Sequence, residues 1–132
     1  MEQEYIKGDI VMYDNRIHTI TDTLELNNYE LSYIRHQVHQ LELSDVPLTP
    51  EILEKNGWKR NGGQYSFTYK PYAGDRVELI GFFIEMFKDV HDMLKHRYFQ
   101  ITHEDKVICG CFYVHQLQHH LFGLGINHEM EV

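Results

Sequence analysis

His115 and His119 stand four residues apart near the end of the chain, a spacing that stacks two imidazoles on one face of a helix. Two such side chains can share a divalent metal ion. No glutamate sits beside His115 as in the H-E-x-x-H pattern, and the sequence shows no third ligand. The bland alternative is a half-buried, hydrogen-bonded pair beside Phe122, with Gln118 on the same polar edge. His36 and His39 make a poorer pair, because a three-residue spacing in a strand sends side chains to opposite faces. Cys109-Gly110-Cys111 puts two thiols on one face of a strand, within imaginable reach of His115 as a nucleophile–base pair. Redox motifs usually separate their cysteines by two residues, and no basic neighbour is at hand to stabilise a thiolate. Such cysteines are commonly small buried hydrophobes. Tyr65, Phe67 and Tyr69 alternate next to Lys59, Arg60 and Lys70, a pattern that could stack single-stranded bases. Alternating aromatics equally form the packed face of a sheet. Gly8-Asp9 and Gly62-Gly63 lack the spacing of a phosphate-binding loop and read as turns. No set of residues qualifies as catalytic, and no cofactor is called for.

These residues belong to a chain of 132 with a net charge of −8. Residues 1–56 hold eleven acids and four bases, for −7, which disfavours general binding to nucleic-acid phosphates. An acidic half suits a basic protein partner, or simply solubility. No apolar run approaches the roughly 18 residues that span a bilayer. The acidic opening Met1-Glu2-Gln3-Glu4 is unlike a signal peptide, and two closely spaced cysteines fit a reducing compartment. The expected location is the cytoplasm.

The elements that must position the candidates follow from pattern and turn chemistry. Asp9 to Tyr13 reads as a strand, Asp14-Asn15 as a turn, and Ile17 to Thr23 as a second strand. Tyr29 to His36 alternates as a third strand after Asn27-Asn28, and Val38, Leu41 and Leu43 suggest a fourth. Pro47-Leu48-Thr49-Pro50 closes this module. Thr49 is suited to cap a helix that carries Ile52 and Leu53 inward and ends at Gly57. Asn61-Gly62-Gly63 leads into a strand from Gln64 to Lys70, and another is expected at Arg76 to Ile80. Phe83, Met86, Phe87, Val90, Met93 and Leu94 fall on one helical arc, which predicts an amphipathic helix from Phe83 to His96. Tyr98 to Thr102 and Val107 to Cys111 read as a hairpin through His103-Glu104-Asp105-Lys106. Tyr113 to Gly125 is the last helix, with Tyr113, Val114, Leu117, Leu121 and Leu124 as its apolar stripe.

Three segments carry a resemblance. Ile6-Lys7-Gly8-Asp9-Ile10-Val11 is similar to an opening strand written I-G-N-x-V. Residues 47–58, Pro47 to Trp58, resemble P-L-T-x-E-x-L-x-x-x-G-[FW], and Tyr113-Val114-His115-Gln116-Leu117-Gln118 matches Y-V-H-Q-L-Q. Together and in this order they resemble a group of uncharacterised small proteins of phages and mobile elements of gut Bacteroides-type bacteria. That group tends to have Asn where this chain has His119, and a shorter region where this chain has residues 83–96. It brings no activity and no functional residues; it implies an accessory protein of a mobile element.

The resulting expectation is an α+β protein. Residues 1–46 form a small SH3-like or meander β module. Residues 47–132 form an antiparallel sheet covered by the two amphipathic helices, sharing one core with the first part. The expected function is non-enzymatic binding to a protein partner, with a nucleic-acid-binding module and a metal-dependent or cysteine hydrolase as alternatives. Binding candidates are His115, Gln118, His119, Tyr65 and Tyr69, with His115 and His119 the candidate metal ligands; oligomeric state is open.

Overall fold

Asp14 and Asn15 both take left-handed backbone angles (φ 50° and 60°), the two-residue turn whose twist matches a hairpin. They join β1 (Ile10–Tyr13) to β2 (Arg16–Thr23), register Tyr13 opposite Arg16. The computed structural model describes residues 4–71, 74–87, 91 and 95–132. β3 (Asn28–Leu31), β4 (Val38–His39) and β5 (Ser44–Asp45) complete a first sheet of order β4-β3-β2-β1-β5. Strands β1 to β4 run as a meander and β5 returns beside β1, giving an open half-barrel.

Two expected strands are cut short here. The third ends at Leu31 rather than His36, because the chain turns there: Ile34 N–H donates to the Leu31 carbonyl, and Tyr33 is left-handed (φ 65°). The fourth gives way after His39 to a 3-10 turn at Gln40–Glu42. The Glu42 carboxylate accepts from the His39 amide, and His39 Nδ1 accepts from the Leu41 amide. Leu41 therefore points to solvent instead of joining the core.

Thr49 Oγ1 accepts from the Ile52 amide at the start of α1 (Pro50–Lys55), with Pro50 in the first turn where it sacrifices no bond. Gly57 ends the helix at φ 92°. β6 (Lys59–Asn61), β7 (Gln64–Tyr69), β8 (Val77–Met86), β9 (His96–His103) and β10 (Lys106–Cys111) then form a second antiparallel sheet in sequential order. Glu104 and Asp105 repeat the left-handed pair of the first hairpin (φ 51° and 65°).

The helix expected over Phe83–His96 is corrected. Residues 83–86 continue β8, and His96 opens β9, with Phe83 opposite Phe99 and Met86 opposite His96. The helical arc misled because β8 is apolar on both faces. Leu79 and Phe83 point into the core while Ile80, Phe82 and Ile84 line the other face, so alternation is hidden. Pairing on both sides satisfies the β8 backbone, and Phe83 gains ring contacts with Phe99 and Tyr65. Val90, Met93 and Leu94 of the same arc lie outside the described residues. The sheet is accordingly not covered by a helix at 83–86.

α2 (Val114–Gly123) forms where expected. Gln116 Oε1 accepts from the Phe112 and Tyr113 amides, and the Val114 amide donates to the Val46 carbonyl, which pins the helix start to the end of the first sheet. Val114, Leu117 and Leu121 are buried, each contributing roughly 1.5–3 kcal/mol before entropy. Leu124, expected on that stripe, is exposed, whereas His115 and Gln118 are buried.

Two apolar clusters result among the described residues. The larger joins Ile10 and Val46 to α1, the second sheet and α2; the smaller gathers Tyr5, Val11, Ile20, Tyr29, Leu31 and Val38 within the first sheet. Strand alternation sends adjacent β1 residues to different clusters, Ile10 to the larger and Val11 to the smaller. No helix among the described residues is long and apolar enough to cross a membrane.

Candidate functional site

The polar edge of α2 faces the segment that leads into β1. Gln118 is completely buried and makes three hydrogen bonds: its Oε1 accepts from the Ile10 amide (2.9 Å), and its Nε2 donates to the carbonyls of Gly8 (2.8 Å) and His128 (3.0 Å). It ties α2 to the N-terminal segment and to the C-terminal tail. That tail is also held by Asn56, which accepts from the Glu131 amide and donates to the Glu131 carbonyl, both at 2.7 Å. Gln118 is thus a structural clamp with both of its amide protons engaged inside the fold.

One residue further, His119 Nε2 lies 2.6 Å from Asp9 Oδ2, 110 residues earlier in the chain. Asp9 is fully buried. Its Oδ2 also accepts from the Ile6 amide (2.9 Å), while its Oδ1 has no hydrogen-bond partner. Gly8 makes this entry possible with φ 95°, turning the chain so that Asp9 points inward.

One turn before Gln118, His115 is 3% exposed. Its ring stacks parallel to Tyr113, meets the edge of Tyr5 at a 5.0 Å centroid separation, and lies 5.6 Å from the His119 ring. His115 Nδ1 has no hydrogen-bond partner, and Asp45 Oδ1 is 3.6 Å away. Burial lowers the affinity of this imidazole for a proton, against the opposing pull of Asp45 and Asp9 and with some help from His119. The neutral ring is therefore favoured, the form in which imidazole ligates metals. Asp45, at the end of β5, accepts from the Tyr5 hydroxyl at 2.6 Å. Burial and this bond push the Tyr5 phenol far up, so it acts as a fixed donor. Glu4 completes the group: its carboxylate, that of Asp45 and a ring nitrogen of His115 place ligand atoms within 4.8 Å of one another. Partial burial and Asp45 raise the Glu4 pKa, with His119 opposing.

Of the sequence candidates, His115, Gln118 and His119 come together here. Tyr65 and Tyr69 do not. Tyr65 is 3% exposed, edge-on to Phe83 and Phe99, and Phe67 and Tyr69 pack on the same interior cluster. No base can stack on Tyr65. Cys111 is buried and Cys109 half-buried, both against the larger cluster; burial pushes both thiols up, away from the reactive thiolate. Sequence reasoning missed Glu4, Tyr5, Asp9 and Asp45. The available signal was an acid set among apolar residues, as Asp9 is before Ile10-Val11 and Asp45 before Val46.

No protein-family model matches this chain, and no curated protein and no solved structure shows a significant similarity to it.

Proposed function

We propose that this chain is a non-enzymatic accessory protein of a phage or mobile element that binds a protein partner in the bacterial cytoplasm. One observation carries the reading. Leu26 (85% exposed) and Leu41 (76%) stand at the same end of the β3–β4 ladder, beyond the Asn28–His39 pair, and Tyr33 (96%) stands at the opposite end of β3. Scattered exposed apolar residues are ordinary, but Leu26 and Tyr33 also hold left-handed backbone (φ 58° and 65°). That conformation costs roughly 1–2 kcal/mol for a bulky side chain. Large side chains kept in solvent on unfavourable backbone fit anchors for a partner's pockets.

The charge of the surroundings narrows the partner. Residues 1–56, with eleven acids against four bases, include Glu25 beside Leu26 and Glu42 beside Leu41. A complementary protein would offer apolar pockets ringed by lysine or arginine. The mobile-element context rests on the resemblance of residues 47–58 and 113–118. The burial of Tyr65 weighs against stacking on the aromatic strand in the nucleic-acid alternative. The burial of both thiols weighs against the cysteine-hydrolase alternative.

The test compares wild type with Leu26→Asp/Leu41→Asp in capture from host lysate. A stoichiometric protein, released by salt and lost with the double variant, is the expected result. A protein captured equally by both chains, or none, would overturn the reading. Self-association that the double variant abolishes would overturn it too, by assigning the surface to a second copy.

A further inference from the structure

The group at the start of α2 contains more uncompensated polarity than its neighbours relieve. Glu4 and Asp45 approach each other closely, Asp9 is fully buried nearby, and no lysine or arginine among the described residues forms an ion pair with any of the three. His115, buried beside them, leaves Nδ1 without a hydrogen bond. Buried polar groups are normally paired, and an orphaned ring nitrogen facing a carboxylate 3.6 Å away is an exception that needs a cause.

We infer that Glu4, Asp45 and His115 form a site for a first-row transition-metal dication of the zinc, cobalt or manganese class. The charge balances, since two carboxylates and a neutral imidazole present −2 to the ion. The separations are those of atoms that could converge on one centre: three ligand atoms within 4.8 Å of one another can each reach a central ion at about 2.0–2.2 Å with small side-chain rotations. An imidazole among the ligands favours such an ion over magnesium or calcium, which prefer oxygen alone. Tyr5 fits the role of a supporting donor, because its hydroxyl already fixes the Asp45 carboxylate. The remaining coordination positions would belong to water. The imidazole comes from α2, one carboxylate from β5 and the other from the N-terminal segment, so the ion would also bridge three parts of the fold.

This inference is independent of partner binding. The test titrates cobalt(II) into the tag-free, chelator-treated full chain and follows the visible absorption of the ion, then displaces it with zinc. One equivalent bound, with magnesium failing to compete, is the expected result. Glu4→Gln should weaken binding by at least about tenfold. Glu4 is exposed, so this variant reads the site without threatening the fold. His115→Ala should abolish binding, with circular dichroism confirming that the chain remains folded. Absence of saturable cobalt binding would overturn the inference. So would binding unchanged by Glu4→Gln and by a folded His115→Ala, which would place the ion on other histidines.

Discussion

The two sheets are held together by different physics. In the second, shape decides. A Cβ on Gly81 would lie 2.1 Å from the Phe99 ring, and one on Gly110 would lie 2.0 Å from the Tyr98 hydroxyl. These glycines let aromatic rings lie across the backbone, one at the interior face; Trp58, Tyr65 and Phe83 close around Phe99, and Phe67 packs on Trp58. In the first sheet, hydrogen bonds decide. Its two large interior rings are tyrosines whose hydroxyls donate to Asp45 and Gln40, and its entry segment is fastened by Gln118. A region organised by polar bonds can hold carboxylates at its border at little extra cost. A region organised by aromatic packing cannot, which is why the candidate site sits at the seam and on the first sheet's side.

The contrast can be broken most severely at Phe99. Phe99→Ala should cost about 3–5 kcal/mol in chemical denaturation, through lost contact and the cavity left among the surrounding rings. Hydrogen exchange should then accelerate throughout β7, β8 and β9. Gln118→Ala should cost less, about 2–3 kcal/mol, by leaving the Ile10 amide and the Gly8 and His128 carbonyls without their partner. Its exchange signature should be local, centred on the Ile10 amide. Equal, global effects from both variants would show that the two regions are one packing unit, contrary to the comparison.

Legibility in the sequence divides along the same line. Hairpin turns, the Thr49 cap, Gly57 and the inward stripe of α2 are local, and each was readable from a few consecutive residues. β8 was misread because packing or partial burial on both faces removes the period-2 signal, and a chance helical arc replaced it. The site was half readable. His115 and His119 announce themselves by spacing, but the partners that give them meaning are remote: Asp9 lies 110 residues from His119, and Asp45 lies 70 from His115. No local pattern encodes such a juxtaposition. Gln118 shows the reverse case: a polar residue at a helix edge read as a binding candidate, and the fold uses it as a clamp.

The cysteines sharpen the comparison at smaller scale. Both face the aromatic cluster, and burial raises both thiols above their ordinary pKa. A raised thiol has less thiolate at a given pH, so reaction with a disulfide reagent at pH 8 should run at least about tenfold slower than for free cysteine. The rate should go on rising with pH beyond the range where free cysteine levels off. Cys109, half-buried, should react first, and Cys111 at the rate at which the second sheet opens. Rapid reaction of both in the native protein would mean that this region is looser than its packing implies.

The smallest expected change in stability falls on the first sheet's loops, and there the sign is informative. Leu26 contributes nothing to either cluster and occupies left-handed backbone, where asparagine is tolerated far better. Leu26→Asn should leave the melting temperature unchanged or raise it, by the equivalent of up to about 1 kcal/mol. If Leu26 is a partner anchor, the same substitution should weaken capture of that partner. Improved folding together with impaired binding is the mark of a residue retained for a surface role, since nothing in the fold would select it. Lost stability would instead mean that Leu26 supports the turn into β3, and the assignment of this loop to a partner would fail.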